Sequence, residues 1–259
     1  MRSSEWLLVG YFTYVAIVAA VIWALSHTQR WLRDLALLAC VLAAYREMDW
    51  FTPAIRDHHL ERAWIVWDRR LLDEFHLHAA IESAGALFPG ALELCYLLVY
   101  AVGPVSVALV LANQSRGAVN RFWLAYLAGT LGAYALFPYF PSDPPRTVFA
   151  GADLPAIVTN LRRFNLWIVG GYGIHSSVFH SAHVSSAFSA AWGLLAAIPK
   201  KRWIGWLMAA YGVSVAIATI YGRYHYAVDA AAGLAISALA FAPLGTAASR
   251  STTPDAKPR

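Results

Sequence analysis

The sequence predicts an all-α fold, a polytopic bundle of six or seven transmembrane helices. Two observations predict it. The 259 residues are 59% hydrophobic and only 14% charged, with 11 tryptophans, far from the composition of an ordinary soluble domain. Four windows also run for about a bilayer-spanning length without an Asp, Glu, Lys or Arg, namely residues 6–26, 122–140, 176–198 and 203–221.

Taken in order, residues 6–26 form the first element. Their apolar stretch is longer than a signal-peptide core and lacks a small-x-small cleavage site, so the helix is expected to be retained. Residues 35–45 are charge-free over only about half a span, which leaves a short helix, a re-entrant piece or a buried segment open and makes the count six or seven. Residues 61–79, ERAWIVWDRRLLDEFHLHA, place Trp64, Trp67, Leu71, Leu72 and Phe75 near helical spacing among Arg62, Asp68, Arg69, Arg70, Asp73 and Glu74. That pattern suits an amphipathic helix in the outer interface, either a plain connector or a substrate gate. Residues 84–112 and 226–248 are apolar runs interrupted by Glu93 and by Asp229 respectively. Cys40 and Cys95 sit inside apolar runs, where a thiol behaves as a small hydrophobe. Residues 1–248 read as one integral-membrane domain with a motif core at 122–248, and residues 249–259 as a disordered cytoplasmic tail.

Orientation follows from the basic loops. Arg116 and Arg121, then Lys200, Lys201 and Arg202, then Arg250, Lys257 and Arg259 fall on one side by helix alternation, and the positive-inside rule makes that side the cytoplasm. Arg162 and Arg163 run against this assignment. The net charge of +5 fits a basic cytoplasmic rim and calls for no nucleic-acid partner.

Three stretches on the opposite, outer side concentrate chemistry: FPYFPSDPPRTVF (137–149), GIHSSVFHSAHVSSAF (173–188) and YGRYHYAVDAAAGL (221–234). His225 and Asp229 are four residues apart and share a helix face, so the carboxylate can hold one imidazole nitrogen while the other attacks. A carboxylate deep in a transmembrane helix costs about 2.5–3.5 kcal/mol, which argues for a partner. A purely structural His–Asp pair remains open on these two residues alone. His183 reaches the same membrane face and supplies a second imidazole, a general acid to complement a nucleophile. Ser181 and the N-terminus of the following helix favour an anion, and Arg146 and Arg223 offer the positive charge a phosphate requires. Together these groups describe phosphoryl transfer.

Two other readings compete. His175, His180, His183 and Asp229 are ligand types that zinc accepts, although their spacing matches no metal motif. A non-enzymatic transporter or lipid-binding protein would also carry intramembrane acids such as Glu93. Glu93, Glu47 and Asp49 suit helix-packing hydrogen bonds or contacts to a headgroup hydroxyl.

The order of motifs resembles the type 2 phosphatidic acid phosphatase superfamily, which includes vanadium haloperoxidases and membrane inositol phosphorylceramide synthases. The resemblance covers residues 122–234, with HYAVD and FHSAHVSSAF as its strongest elements. It implies that His225 attacks phosphorus to give a phosphohistidine, Asp229 orients it, His183 protonates the leaving group, and Ser181 and Arg146 contact phosphate, without metal or cofactor. The chain departs from the common phosphatase pattern at Thr219, where an arginine is usual six residues before the histidine, and Arg223 is the candidate replacement. It departs again at Tyr139, Thr147 and His180. PPR and HYxxD look closest to the inositol phosphorylceramide synthase branch, which implies a lipid phosphate or phosphodiester substrate. The expected location is a plasma or inner membrane with the site on the outer face.

Overall fold

The computed structural model describes residues 4–27, 30–53, 57–113, 116–174 and 177–250. Helices carry the fold throughout, and no strand occurs among these residues. In chain order they are α1 (Ser4–His27), α2 (Arg30–Phe51), α3 (His59–Arg69), α4 (Leu77–Glu82), α5 (Leu87–Leu98), α6 (Val102–Asn113), α7 (Arg116–Leu136), α8 (Pro145–Val148), α9 (Asn160–Tyr172), α10 (Ala182–Ala197), α11 (Arg202–Tyr221) and α12 (Ala227–Arg250). The apolar windows fall largely on helices, with 176–198 helical from Ala182 and 122–140 leaving the α-helix after Leu136, and residues 35–45, half a span by charge, lie inside the 22-residue α2.

A single 3-10 turn at Val99–Ala101 joins α5 to α6. The resulting 27-residue element, Leu87–Asn113, and the 23-residue Pro199–Tyr221 are the two helices long and apolar enough to cross a membrane among the described residues. The tail from residue 251 lies outside the described residues, while Ser249 and Arg250 still belong to α12.

The bundle is built around α10, which packs on α7, α11 and α12. Its sequence explains this centrality: Ala182, Ser185, Ala187, Ser189, Ala190, Ala191 and Gly193 are all buried, and small residues let helix backbones approach closely. Contact with α12 is close at Gly233, where a Cβ would stand 2.4 Å from the Ser181 carbonyl oxygen.

Local chemistry sets the helix ends. Pro138 closes α7 through a 3-10 turn at Phe137–Tyr139. Pro145 takes the first turn of α8, where its missing N–H costs nothing. The Ser181 hydroxyl caps α10 by accepting from the Val184 N–H. One end of the bundle therefore gathers the C-terminal ends of α2, α7 and α11 with the N-terminal ends of α10 and α12. The N-terminal ends of α7 and α11, with Arg116 and Lys200–Arg202, lie at the other end, where Lys201 Nζ donates to Asn113 Oδ1 at 2.7 Å.

The stretch 61–79 is helical over most of its length, through α3 and into α4. Its inward face is Glu61, Ile65, Asp68 and Leu72, while Trp67 and Phe75 point outward and Trp64 is half-buried. The acids turn inward because partners await them: Asp68 meets Arg223 at 2.7 Å, and Glu61 accepts the Asp143 N–H at 3.0 Å.

Candidate active site

At the gathered end a small cavity is lined by Arg146, His183 and His225 together with Tyr45, Tyr96, Tyr100, Tyr224 and parts of residues 169–182. His183 and His225 rings lie 5.9 Å apart between centroids at 70°. Tyr96 and Tyr100 crowd His183 at 5.1 and 5.6 Å, so its ring is held in an aromatic box one residue into α10.

His225 sits in the turn between α11 and α12. Both its own N–H and that of Tyr224 donate to the Thr219 carbonyl, at 3.1 and 2.9 Å. Thr219 thus anchors the turn through its backbone, and its buried position carries no cation. The ring's Nδ1 is 2.9 Å from the Val178 carbonyl oxygen. A carbonyl only accepts, so Nδ1 carries the hydrogen, and in the neutral ring the free lone pair is on Nε2. Burial, then the nearby Arg146 charge, pull the His225 pKa down to about 3 against the opposing bond to Val178, so the imidazole is neutral at physiological pH.

Asp229 lies 3.4 Å from His225 Nδ1, but its Oδ2 accepts the Tyr226 N–H at 2.9 Å. The carboxylate shapes the first turn of α12 and adds its charge beside the ring, while Val178 accepts the ring's hydrogen bond. No sequence pattern flags Val178, because the group involved is a backbone carbonyl.

Arg146, half-buried in α8, lies against Tyr224: its Nη1 donates to the Tyr224 carbonyl at 3.4 Å and its guanidinium lies 5.5 Å from the Tyr224 ring centre. The structure brings Arg146, His183 and His225 into one cavity, with Asp229 behind the ring. Ser181 and Arg223 are not among the lining residues. The Ser181 hydroxyl is occupied in capping α10, and Arg223, fully buried, gives Nη1 to Asp68. Burial pushes the Asp68 carboxyl upward, opposed by the Ala227 N–H and by Arg223.

Of the candidate metal ligands, His180 donates Nε2 to the Ala133 carbonyl and stacks on Phe137 at 5.1 Å, while His175 lies outside the described residues. No group of three or more His, Cys, Asp or Glu is arranged around a metal position among the described residues.

Glu93 is explained by packing. Its Oε1 accepts from Arg162 at 2.9 Å, and its Oε2 accepts from Asn165 at 2.7 Å and from the Tyr224 hydroxyl at 2.8 Å. Arg162, which ran against the orientation rule, is therefore a buried partner and not a loop charge. Asp49 pairs with Arg46 at 2.9 Å.

A family model described as the PAP2 superfamily matches residues 62–243. The chain belongs to the PAP2 superfamily. The match spans more than half of the sequence and takes in α3 through most of α12, so it includes every residue of the cavity wall except Tyr45. Members are phosphatases or phosphotransferases, and this chain is an enzyme of that broad kind. Comparison with curated proteins and with solved structures gives no match.

Proposed function

We propose that this PAP2 protein is an integral-membrane enzyme of six or seven spans that transfers phosphoryl groups of lipid-linked phosphate esters through a phosphohistidine. The observation that carries the reading is the Nδ1–H of His225 bound to Val178, which leaves Nε2 as the free nucleophile in a cavity shared with His183 and Arg146.

In the first step the Nε2 lone pair attacks phosphorus, a P–N bond forms, and the P–O bond to the leaving alcohol breaks. His183, carrying a proton taken up with the anionic ester, gives it to that oxygen, and Arg146 balances the phosphoryl charge. The two rings face one cavity with centroids 5.9 Å apart, so one imidazole can meet phosphorus while the other meets the leaving oxygen. In the second step water or an acceptor alcohol loses a proton to His183 and displaces His225. The carboxylate of Asp229 lies beside the imidazolium-like charge that develops. Ser181 holds the end of α10 from which His183 projects, and Arg223 supports the turn that presents His225.

The lipid assignment rests on the apolar helices around the site, and the PPR and HYxxD forms favour headgroup transfer, as in the inositol phosphorylceramide synthase branch. The basic loops at the far end of the bundle favour an outer-face site in a plasma or inner membrane. The test is purified protein in detergent with a chelator, offered lipid phosphates and phosphodiesters with inositol lipids, ceramide or diacylglycerol as acceptors, and compared with His225→Ala. Free phosphate lost in the variant means hydrolysis, a new phosphodiester lost in the variant means transfer, and no product from either protein across the panel rejects the reading.

A further inference from the structure

The helix α3 lies outside the three motif stretches, yet one face of it touches all three. Glu61, Ile65 and Asp68 follow at four and three residues and so share that face. Glu61 Oε1 accepts the Asp143 N–H at 3.0 Å, just ahead of the Pro-Pro-Arg146 turn. Ile65 packs against Val178 and Tyr226, and its neighbour Trp64 stacks on Phe179 at 4.9 Å. Asp68 reaches the loop of His225 with both oxygens: Oδ2 to Arg223 Nη1 at 2.7 Å and Oδ1 to the Ala227 N–H at 2.8 Å.

The last pair is the informative one. Residues 223 and 227 flank His225 by two positions on either side, and one buried carboxylate holds both. Arg223 has a left-handed backbone, with φ of 59°, a conformation that a residue with a Cβ keeps only when its surroundings fix it. The carbonyl of Arg223 in turn accepts the Arg146 N–H at 3.4 Å, so the same clamp reaches the arginine of the cavity. Asp68 is 0% exposed and Arg223 is 0% exposed, and a charge-assisted pair at that depth is held in one geometry.

We propose that Asp68 is a positioning residue for His225: by gripping the turn on both sides of the nucleophile it keeps the Nδ1–H bond to Val178 and aims Nε2 into the cavity. The proposal rests on the reading of His225 as nucleophile only for its catalytic consequence, because ring orientation is measurable without turnover.

The experiment uses the full chain in detergent with histidine labelled with nitrogen-15, comparing wild type, Asp68→Asn and Leu72→Ala, with His225→Gln identifying the His225 resonances among the nine histidines. Leu72→Ala loosens the buried continuation of the same face without touching the carboxylate, and melting temperatures are recorded for all. Wild-type His225 is expected as the pure Nδ1–H tautomer. Asp68→Asn is expected to show mixed tautomers and, on p-nitrophenyl phosphate and bis-p-nitrophenyl phosphate, a fall in kcat of about 100-fold, the size of a misplacement of about 1 Å, with KM little changed. Leu72→Ala is expected to lower the melting temperature while keeping the tautomer. A wild-type tautomer in Asp68→Asn, or the same mixing in Leu72→Ala, overturns the proposal. If wild type turns over neither ester, the proposed function fails on that substrate class and the tautomer result still decides the role of Asp68.

Discussion

Replacing Glu93 with leucine tests whether the buried network beneath the site carries structural weight. Arg162 is 5% exposed and Glu93 2%, so the substitution strands a guanidinium where water cannot solvate it. Breaking a buried ion pair from one side costs about 3–5 kcal/mol. The Tyr224 hydroxyl loses its acceptor at 2.8 Å, and leaving a buried donor unpaired costs about 1–3 kcal/mol. Asn165 retains its second bond, to the Glu93 backbone carbonyl at 2.8 Å, and contributes less. The ion-pair loss alone corresponds to a melting temperature lower by about 6–20 °C, at about 2–4 °C per kcal/mol for a chain of this size. Removing both charges, as Glu93→Leu with Arg162→Leu, is expected to restore most of this, since apolar replacement of a whole buried pair is often near neutral. Thermal unfolding in detergent, followed by near-ultraviolet circular dichroism, measures both variants. A Glu93→Leu loss below about 1 kcal/mol, or a double variant less stable than the single one, would show that the buried pair does not stabilise the bundle.

Other expectations follow from the same geometry. Gly233→Ala drives a Cβ to 2.4 Å from the Ser181 carbonyl, so α10 and α12 must part; overpacking of about 1–3 kcal/mol and reduced turnover are expected, read by melting and by kcat. The His225 pKa near 3 predicts that kcat/KM shows no acid limb from this ring between about pH 5 and 7. Unfolded chain takes up a proton below about pH 6.5 that the folded ring refuses until about 3, so stability falls with decreasing pH across that window, by up to about 1.4 kcal/mol per unit. A pH–rate profile and melting curves check the two halves separately. Arg146→Gln removes the cation that lines the cavity beside His225; phosphate-ester turnover is expected to drop by about 10²–10³-fold with melting little altered, because its contacts to Tyr224 are long.

Charge-free windows marked α1, α7, α10 and α11, whereas α9 lies in none of them. The i, i+4 spacing of His225 and Asp229, and the placement of His183 at the start of an apolar helix, were equally legible, because they are periodic and local. The aromatic spacing of residues 61–79 did not show which acids turn inward, because the partners of Glu61 and Asp68 lie far away in the chain. Asp68 and Arg223 stand 155 positions apart, and Arg162 and Glu93 stand 69 apart. No periodicity links such pairs; only packing of α3 and α9 against the bundle does. The hydrogen bond that sets the tautomer of His225 goes to a backbone carbonyl 47 residues away, and every residue has that group. The sequence therefore determined the helices and which side chains can do chemistry, whereas tertiary structure decided which of them share a cavity, which are neutralised behind it, and which nitrogen is free.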